Sequence, residues 1–158
     1  MHKAVLGLGT NLGKREENIR AAIHAIELLP DTTVISESSL YETKPFDVTT
    51  QQGDYLNCCI LLLTEFSPKV LLGACLGVET AMGRERRELH GARIIDIDLL
   101  LYEDETCNDA ELQLPHPQIL KRAFVMVPLT DLFPQKKALG LDFTAALGKV
   151  DCSEVTRL

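Results

Sequence analysis

Tryptophan is missing from this chain, and three tyrosines with five phenylalanines supply all of its large rings. A site built on stacked aromatics therefore has few residues to draw on. Cysteine is present five times, an odd number, at positions 58, 59, 75, 107 and 152, and no C-x-x-C pair occurs. That pattern excludes complete internal disulfide pairing and a zinc-ribbon spacing. Reduced thiols acting as small hydrophobes in a cytoplasmic protein are the expectation. Cations are scarce: 16 Lys and Arg stand against 23 Asp and Glu, for a net charge of −7. A general nucleic-acid binder needs a cationic surface, so nucleic acid is excluded as a partner class. No uncharged apolar run approaches the roughly 20 residues of a membrane span, and no basic-then-apolar leader opens the chain. Repeats, low-complexity tracts and linkers are also lacking. What is present is an ordinary globular composition, 46% hydrophobic and 25% charged over 158 residues. One domain over residues 1–158, monomeric and with a sizeable core, is expected.

Periodicity places the elements. KAVLGLG (3–9) reads as a short apolar strand ending in a glycine-rich turn. The next segment carries Ile19, Ala22, Ile23, Ile26 and Leu29 at helical spacing and stops at Pro30. Residues 32–43, rich in β-branched and hydroxyl side chains, read as one strand, and YLNCCILLLTEF (55–66) as its antiparallel partner. Ser67 and Pro68 suit the N-cap and first turn of a helix that buries Leu71, Leu72, Cys75, Val78 and Met82. Gly83 suits its left-handed cap. After an arginine-rich loop come the strand IIDIDLLLY (94–102), a short strand around ELQLP, a His-Pro turn and a helical run through KRAFVMVPLTDL. The order βαββαβ with a C-terminal strand and helix extension predicts an α+β sandwich of the ferredoxin-like kind.

The strand GARIIDIDLLLY raises the functional question, because Asp96 and Asp98 interrupt a segment that otherwise belongs in a core. Residues i and i+2 of a strand share a face, with Cα atoms roughly 6.5–7 Å apart. The two carboxylates therefore point together while Ile95, Ile97 and Leu99 point into the core. Adjacent carboxylates repel, and a cation between them relieves this. Magnesium suits the position, being held typically by one or two carboxylates plus substrate phosphates. A pair of ions roughly 3.5–4 Å apart would suit it too. On spacing alone, the polar face of an ordinary amphipathic strand stands as the alternative.

Arg84, Arg86, Arg87 and Arg93 lie within ten residues just ahead of the pair, against only Glu85 and Glu88. Arginine forks match phosphate oxygens, and carboxylates for magnesium beside arginines for phosphate are the parts of phosphoryl transfer. A structural network of these arginines with Asp96 and Asp98 is the competing reading. The common phosphate loops are absent. In GLGTNLGK, Leu8 and Arg15 break the G-x-x-x-x-G-K-[ST] pattern, and Leu12 breaks G-x-G-x-x-G. These glycines read instead as a tight turn at the end of a strand.

Five segments in order carry a resemblance: GLGTNLG, SSLYETKPF, DYLNCCI, GARIIDIDLL and LPHPQILKRAFVMVPL. Together they resemble the 6-hydroxymethyl-7,8-dihydropterin pyrophosphokinase family of the folate pathway, over nearly the whole chain. The resemblance implies transfer of the diphosphate of ATP to the hydroxymethyl oxygen of a reduced pterin, with release of AMP. It implies two magnesium ions on Asp96 and Asp98. Arg84 and Arg93 would serve the transferring phosphates, and Glu79, Arg84, Arg86, Arg93, His116 and Arg122 would face ATP. The arginine loop would close over the nucleotide. Tyr55 and Phe124 would stack on the pterin, Asn57 would read its edge, and Thr43, Pro45 and Phe46 would form the neighbouring wall.

A flat heteroaromatic ring does need two π-faces and an amide-like edge. Tyr55 and Asn57, two apart on one strand, supply one face and the edge. Singly, Tyr55 and Phe124 also read as core aromatics, and Glu79 as a solvated helical residue. Leu89, His90 and Glu111 depart from the family's habit of a basic residue, a large aromatic and a cation at those positions. Two rivals stand beside this reading. One is another magnesium-dependent nucleotide enzyme, which would release ADP or phosphate. The other is a non-catalytic ferredoxin-like module that binds a small ligand or a partner protein.

Overall fold

The computed structural model describes residues 1–44, 54–83 and 94–158. Strand β1 (His2–Thr10) leads into helix α1 (Arg15–Glu27), then β2 (Thr32–Glu37), β3 (Tyr41–Thr43), β4 (Tyr55–Thr64), helix α2 (Pro68–Ala81) and β5 (Asp96–Tyr102). A ribbon of β6 (Cys107–Asn108) and β7 (Gln113–Leu114) follows, with a 3-10 turn at Ile119–Lys121 and helix α3 (Ala123–Leu132). The chain closes with the ribbon β8 (Lys137–Ala138) and β9 (Leu141–Asp142), helix α4 (Thr144–Lys149) and strand β10 (Thr156–Arg157). The main sheet is antiparallel, in the order β10, β3, β4, β1, β5, with β2 continuing along the edge of β4 beyond β3. Among the described residues no helix is long and apolar enough to cross a membrane.

Alternation along the strands sends side chains to two cores. Ala4, Leu6 and Leu8 of β1, Leu56, Cys58, Ile60 and Leu62 of β4, and Ile97 and Leu99 of β5 pack with Ile19, Ala22, Ile23 and Ile26 of α1. Leu71, Cys75 and Val78 of α2 join the same cluster. The opposite face sends Val5, Cys59, Leu100 and Leu101 against Val125, Met126 and Leu129 of α3, with Ile119, Ala138 and Phe143. The expected helical stripes are therefore the buried ones, although Leu29, Leu72 and Met82 are only half-buried. Ser67 caps α2 by accepting the Val70 N–H at 3.4 Å, Pro68 occupies the first turn, and Gly83 takes φ +84°.

Two expectations are corrected. Residues 32–43 form two strands, not one. The Ser38 hydroxyl accepts the Cys59 N–H at 2.9 Å, while Ser39 N–H and Tyr41 O–H donate to Asp131 Oδ2 at 3.0 and 2.8 Å. Hydroxyl side chains here compete with the ladder and turn the backbone out of it. Burial, followed by the Asp131 hydrogen bond, pushes the Tyr41 hydroxyl up to about 12. Second, Gly7 and Gly9 lie inside β1, and of the three glycines only Gly13, at φ +64°, sits in the turn. The short strand expected at ELQLP is present as β7 and pairs with β6 in a ribbon of its own.

Phe143 is fully buried in the α3-side core, so the C-terminal segment closes that face. Phe143→Ala should cost about 3–5 kcal/mol in guanidinium unfolding. An unchanged midpoint would detach this segment from the core.

Candidate active site

The antiparallel register of three strands builds the floor of the site. Gly9 pairs with Asn57 on one side and Asp96 on the other, and Gly7 pairs with Cys59 and Asp98. Directly opposed residues share a face. Two rows therefore cross the sheet, Asn57–Gly9–Asp96 and Cys59–Gly7–Asp98, with the central strand bare in both. A β-carbon on Gly9 would stand 2.8 Å from Asn57 Oδ1, and one on Gly7 would stand 3.1 Å from Leu100 Cδ1. Any side chain at position 9 would displace the Asn57 amide oxygen. Leu100 is the extra residue of a bulge, since Leu6 faces Leu99 while Val5 faces Leu101. The bulge lets the adjacent Leu100 and Leu101 both enter the α3-side core, while Leu99 stays in the helix-side one.

Over this floor lies a cavity of about 320 Å³ lined by Thr43, Lys44, Tyr55, Asn57, Asp96, Asp98, Arg122 and Phe124. Asn57 Nδ2 donates to Thr43 Oγ1 at 2.8 Å, which aims Oδ1 over Gly9 into the trough. The Arg122 guanidinium stands 5.5 Å from the centre of the Phe124 ring, within cation–π range. Burial, then the nearby Asp96 carboxylate, raises the Tyr55 hydroxyl above its ordinary value.

A second cavity, about 450 Å³, is lined by Leu72, Leu76, Glu79, Asp96, Asp98, Glu111 and His116, among others. Leu72, Leu76 and Glu79 share one face of α2 by their i, i+4, i+7 spacing. Glu79 is 3% exposed and accepts the Ile97 N–H at 2.9 Å through Oε2. That carboxylate holds the outer edge of β5 between the two aspartates, so the solvated reading of Glu79 is overturned. The His116 backbone N–H donates to the Leu100 carbonyl at 2.9 Å, and its Nδ1 accepts the Gln118 N–H at 3.1 Å. Nε2 therefore carries the proton of the neutral ring. Burial lowers the His116 pKa against the opposing pull of Asp98, with Arg122 lowering it further.

Thr43, Tyr55, Asn57 and Phe124 thus meet in one cavity, and Glu79 and His116 in the other. Asp96 and Asp98 are common to both. Arg122, expected to face ATP, lines the Tyr55–Phe124 cavity beside the shared aspartates. Pro45, Phe46, Arg84, Arg86 and Arg93 lie outside the described residues. Sequence reasoning missed Gly7, Gly9 and Cys59, whose signal is the alternation with Asn57 and the aspartates. It also missed Leu72 and Leu76 as site residues, whose signal is their helical spacing to Glu79.

Two cavities sharing a pair of carboxylates have the layout of a two-substrate transferase. Comparison with known proteins bears on this directly. Residues 5–134 match 7,8-dihydro-6-hydroxymethylpterin-pyrophosphokinase (HPPK). The 2-amino-4-hydroxy-6-hydroxymethyldihydropteridine pyrophosphokinase of Methylorubrum extorquens is 38% identical, over 100% of this chain and 99% of its own. The protein of that name from Synechocystis is 37% identical over 98% of this chain and 79% of its own. The crystal structure of Plasmodium falciparum HPPK-DHPS with pterin and p-hydroxybenzoate superposes with a TM-score of 0.74 at 16% identity, over 99% of this chain and 45% of that one. This chain spans under half the length of that solved protein. The chain belongs to the 7,8-dihydro-6-hydroxymethylpterin-pyrophosphokinase family.

Cys59 lines the first cavity yet is fully buried in the α3-side core, and burial drives its thiol well up. Cys58 and Cys75 are pushed up to about 12, again chiefly by burial. At pH 8 a thiol of that pKa is only about one part in 10⁴ thiolate. Ellman's reagent should titrate the half-buried Cys107 and Cys152 in the native protein and reach Cys58, Cys59 and Cys75 only in denaturant. Fast native reaction of all five would contradict the packing.

Proposed function

We propose that the chain passes the diphosphate of ATP to the hydroxymethyl oxygen of 6-hydroxymethyl-7,8-dihydropterin and releases AMP, as a folate-pathway pyrophosphokinase. The observation that carries the reading is the shared edge: Asp96 and Asp98 line both cavities, one suited to a flat ring and one to a nucleotide. The strand order, with α1 and α2 against one face of the sheet, supports a ferredoxin-like sandwich with a C-terminal extension. The free thiols Cys58, Cys59, Cys75, Cys107 and Cys152 favour a reducing, cytoplasmic setting.

In this reading the pterin lies on the bare strip of Gly7 and Gly9 between Tyr55 and Phe124. Asn57 Oδ1, aimed by Thr43, accepts from the N–H groups of the ring edge. Leu72 and Leu76 offer an apolar wall to the adenine, and His116 donates from Nε2 to a phosphate oxygen. Arg122, beside Phe124, brings positive charge to the boundary between acceptor and donor. Arg84, Arg86 and Arg93 would add phosphate contacts.

Asp96 and Asp98 fit magnesium, a hard cation that takes carboxylate oxygens and completes its shell with phosphate and water. Two such ions, when bound, would neutralise charge on the triphosphate. The chain's own contribution is placement of the hydroxymethyl oxygen in line with the β-phosphorus, an effect worth several kcal/mol.

Asp96→Ala and Asp98→Ala should each abolish pterin-dependent AMP formation, followed by chromatography of the nucleotide products, while circular dichroism stays unchanged. Near-normal turnover in either variant would sink the metal assignment, and release of ADP by the parent protein would identify a plain kinase. Gly9→Ala should leave the nucleotide KM alone and weaken pterin binding about tenfold or more, because its β-carbon displaces the Asn57 carbonyl. Calorimetric titration with the pterin checks this.

A further inference from the structure

Arg15 opens α1 and reaches two strands at once. Its Nη1 donates to the Asp54 carbonyl at 3.1 Å, and its Nη2 bridges to Glu42 Oε1. Glu42 sits on β3 and Asp54 immediately precedes Tyr55 on β4, so the guanidinium ties the two strands together at one end of their ladder. That ladder is short: Tyr41, Glu42 and Thr43 face Asn57, Leu56 and Tyr55. Its last pair, Thr43 with Tyr55, is also its least supported, because β10 extends over Tyr41 and Glu42 only.

The same last pair carries the wall of the first cavity. Thr43 Oγ1 aims the Asn57 amide, and Tyr55 supplies one ring face. Glu42 is registered with Leu56, whose side chain belongs to the helix-side core. The Arg15–Glu42 bridge therefore lies behind the sheet, on the face away from the trough, and does not touch a ligand there. The two side chains are 30% and 33% exposed, so water competes only in part with a charge-assisted bond.

We infer that Arg15 is a positioning residue for the pterin: by clamping Glu42 and the Asp54 carbonyl it holds Thr43, Tyr55 and Asn57 in the geometry that reads the ring. The inference rests on the pterin reading of the first cavity. The cavity that holds Glu79 and His116 shares none of these residues, so the clamp acts on one substrate and not the other.

Steady-state kinetics on the full chain test this, with Tyr55→Ala as the control for the cavity itself. Arg15→Ala should raise the pterin KM about tenfold and leave the ATP KM and kcat within about twofold. Arg15→Lys, which keeps the charge but loses the rigid two-pronged fork, should fall between Arg15→Ala and the parent, and it gives the same comparison should Arg15→Ala be too unstable to assay. Adding Glu42→Ala to Arg15→Ala should change the pterin KM little further, since the clamp is already open. A raised pterin KM in Tyr55→Ala with an unchanged one in the Arg15 variants overturns the clamp alone. An unchanged pterin KM in Tyr55→Ala overturns the cavity reading and the clamp with it. An equal rise of both KM values in Arg15→Ala also overturns the inference, since it reports general loosening of the fold.

Discussion

The register of β1 between β4 and β5 is the constraint on which the rest of the site depends. Nine consecutive residues of β1 pair with β4, and six pair with β5 on the other side. That double ladder sets Gly7 and Gly9 opposite Cys59 and Asn57 and opposite Asp98 and Asp96. A slip of one residue would turn Leu6 and Leu8 out of the helix-side core and put them into the trough. Burial of those leucines thus enforces the placement of the carboxylates. Stability and site geometry are one requirement on this strand.

Edge strands usually carry unpaired backbone groups, and β5 is an edge of the main sheet. The structure manages that edge with function attached. Glu79 accepts the Ile97 N–H from inside α2, and the His116 backbone closes on the Leu100 carbonyl. One tie lies between the aspartates and the other two residues beyond Asp98, and both come from residues that line the second cavity. The bulge at Leu100 completes the arrangement by sending one extra leucine to the α3-side core. Rigid support of an acidic pair matters because misplacement by about 1 Å can cost orders of magnitude in a transfer reaction.

The helix-side core and the α3-side core are separate clusters on opposite faces of the sheet. The first cavity opens where α3 begins and where Gly7 and Gly9 leave the sheet face bare on β1. Arg122 and Phe124 therefore reach the trough from α3 while Tyr55 and Asn57 reach it from β4. Asp131, further along α3, binds Ser39 and Tyr41 and so links this helix to the edge where β2 gives way to β3.

Much of this was legible in the chain itself. Helical spacing of Ile19, Ala22, Ile23 and Ile26 and the Ser67–Pro68 start signal are local patterns, and local patterns survive folding. The common face of Asp96 and Asp98 follows from the two-residue period of a strand and needs no tertiary information. The break at 38–40 was not legible, because it depends on a serine hydroxyl meeting Cys59 and an aspartate 92 residues away in sequence. The glycines at 7 and 9 looked like a turn, since nothing local says that two other strands flank them. Glu79 looked like surface, and only the packing of α2 on β5 brings its carboxylate to a backbone N–H. Periodicity, caps and spacing determine which face a residue takes. Which residues then stand opposite one another is set by strand pairing and helix docking, and that long-range register alone decided that the two aspartates join two cavities.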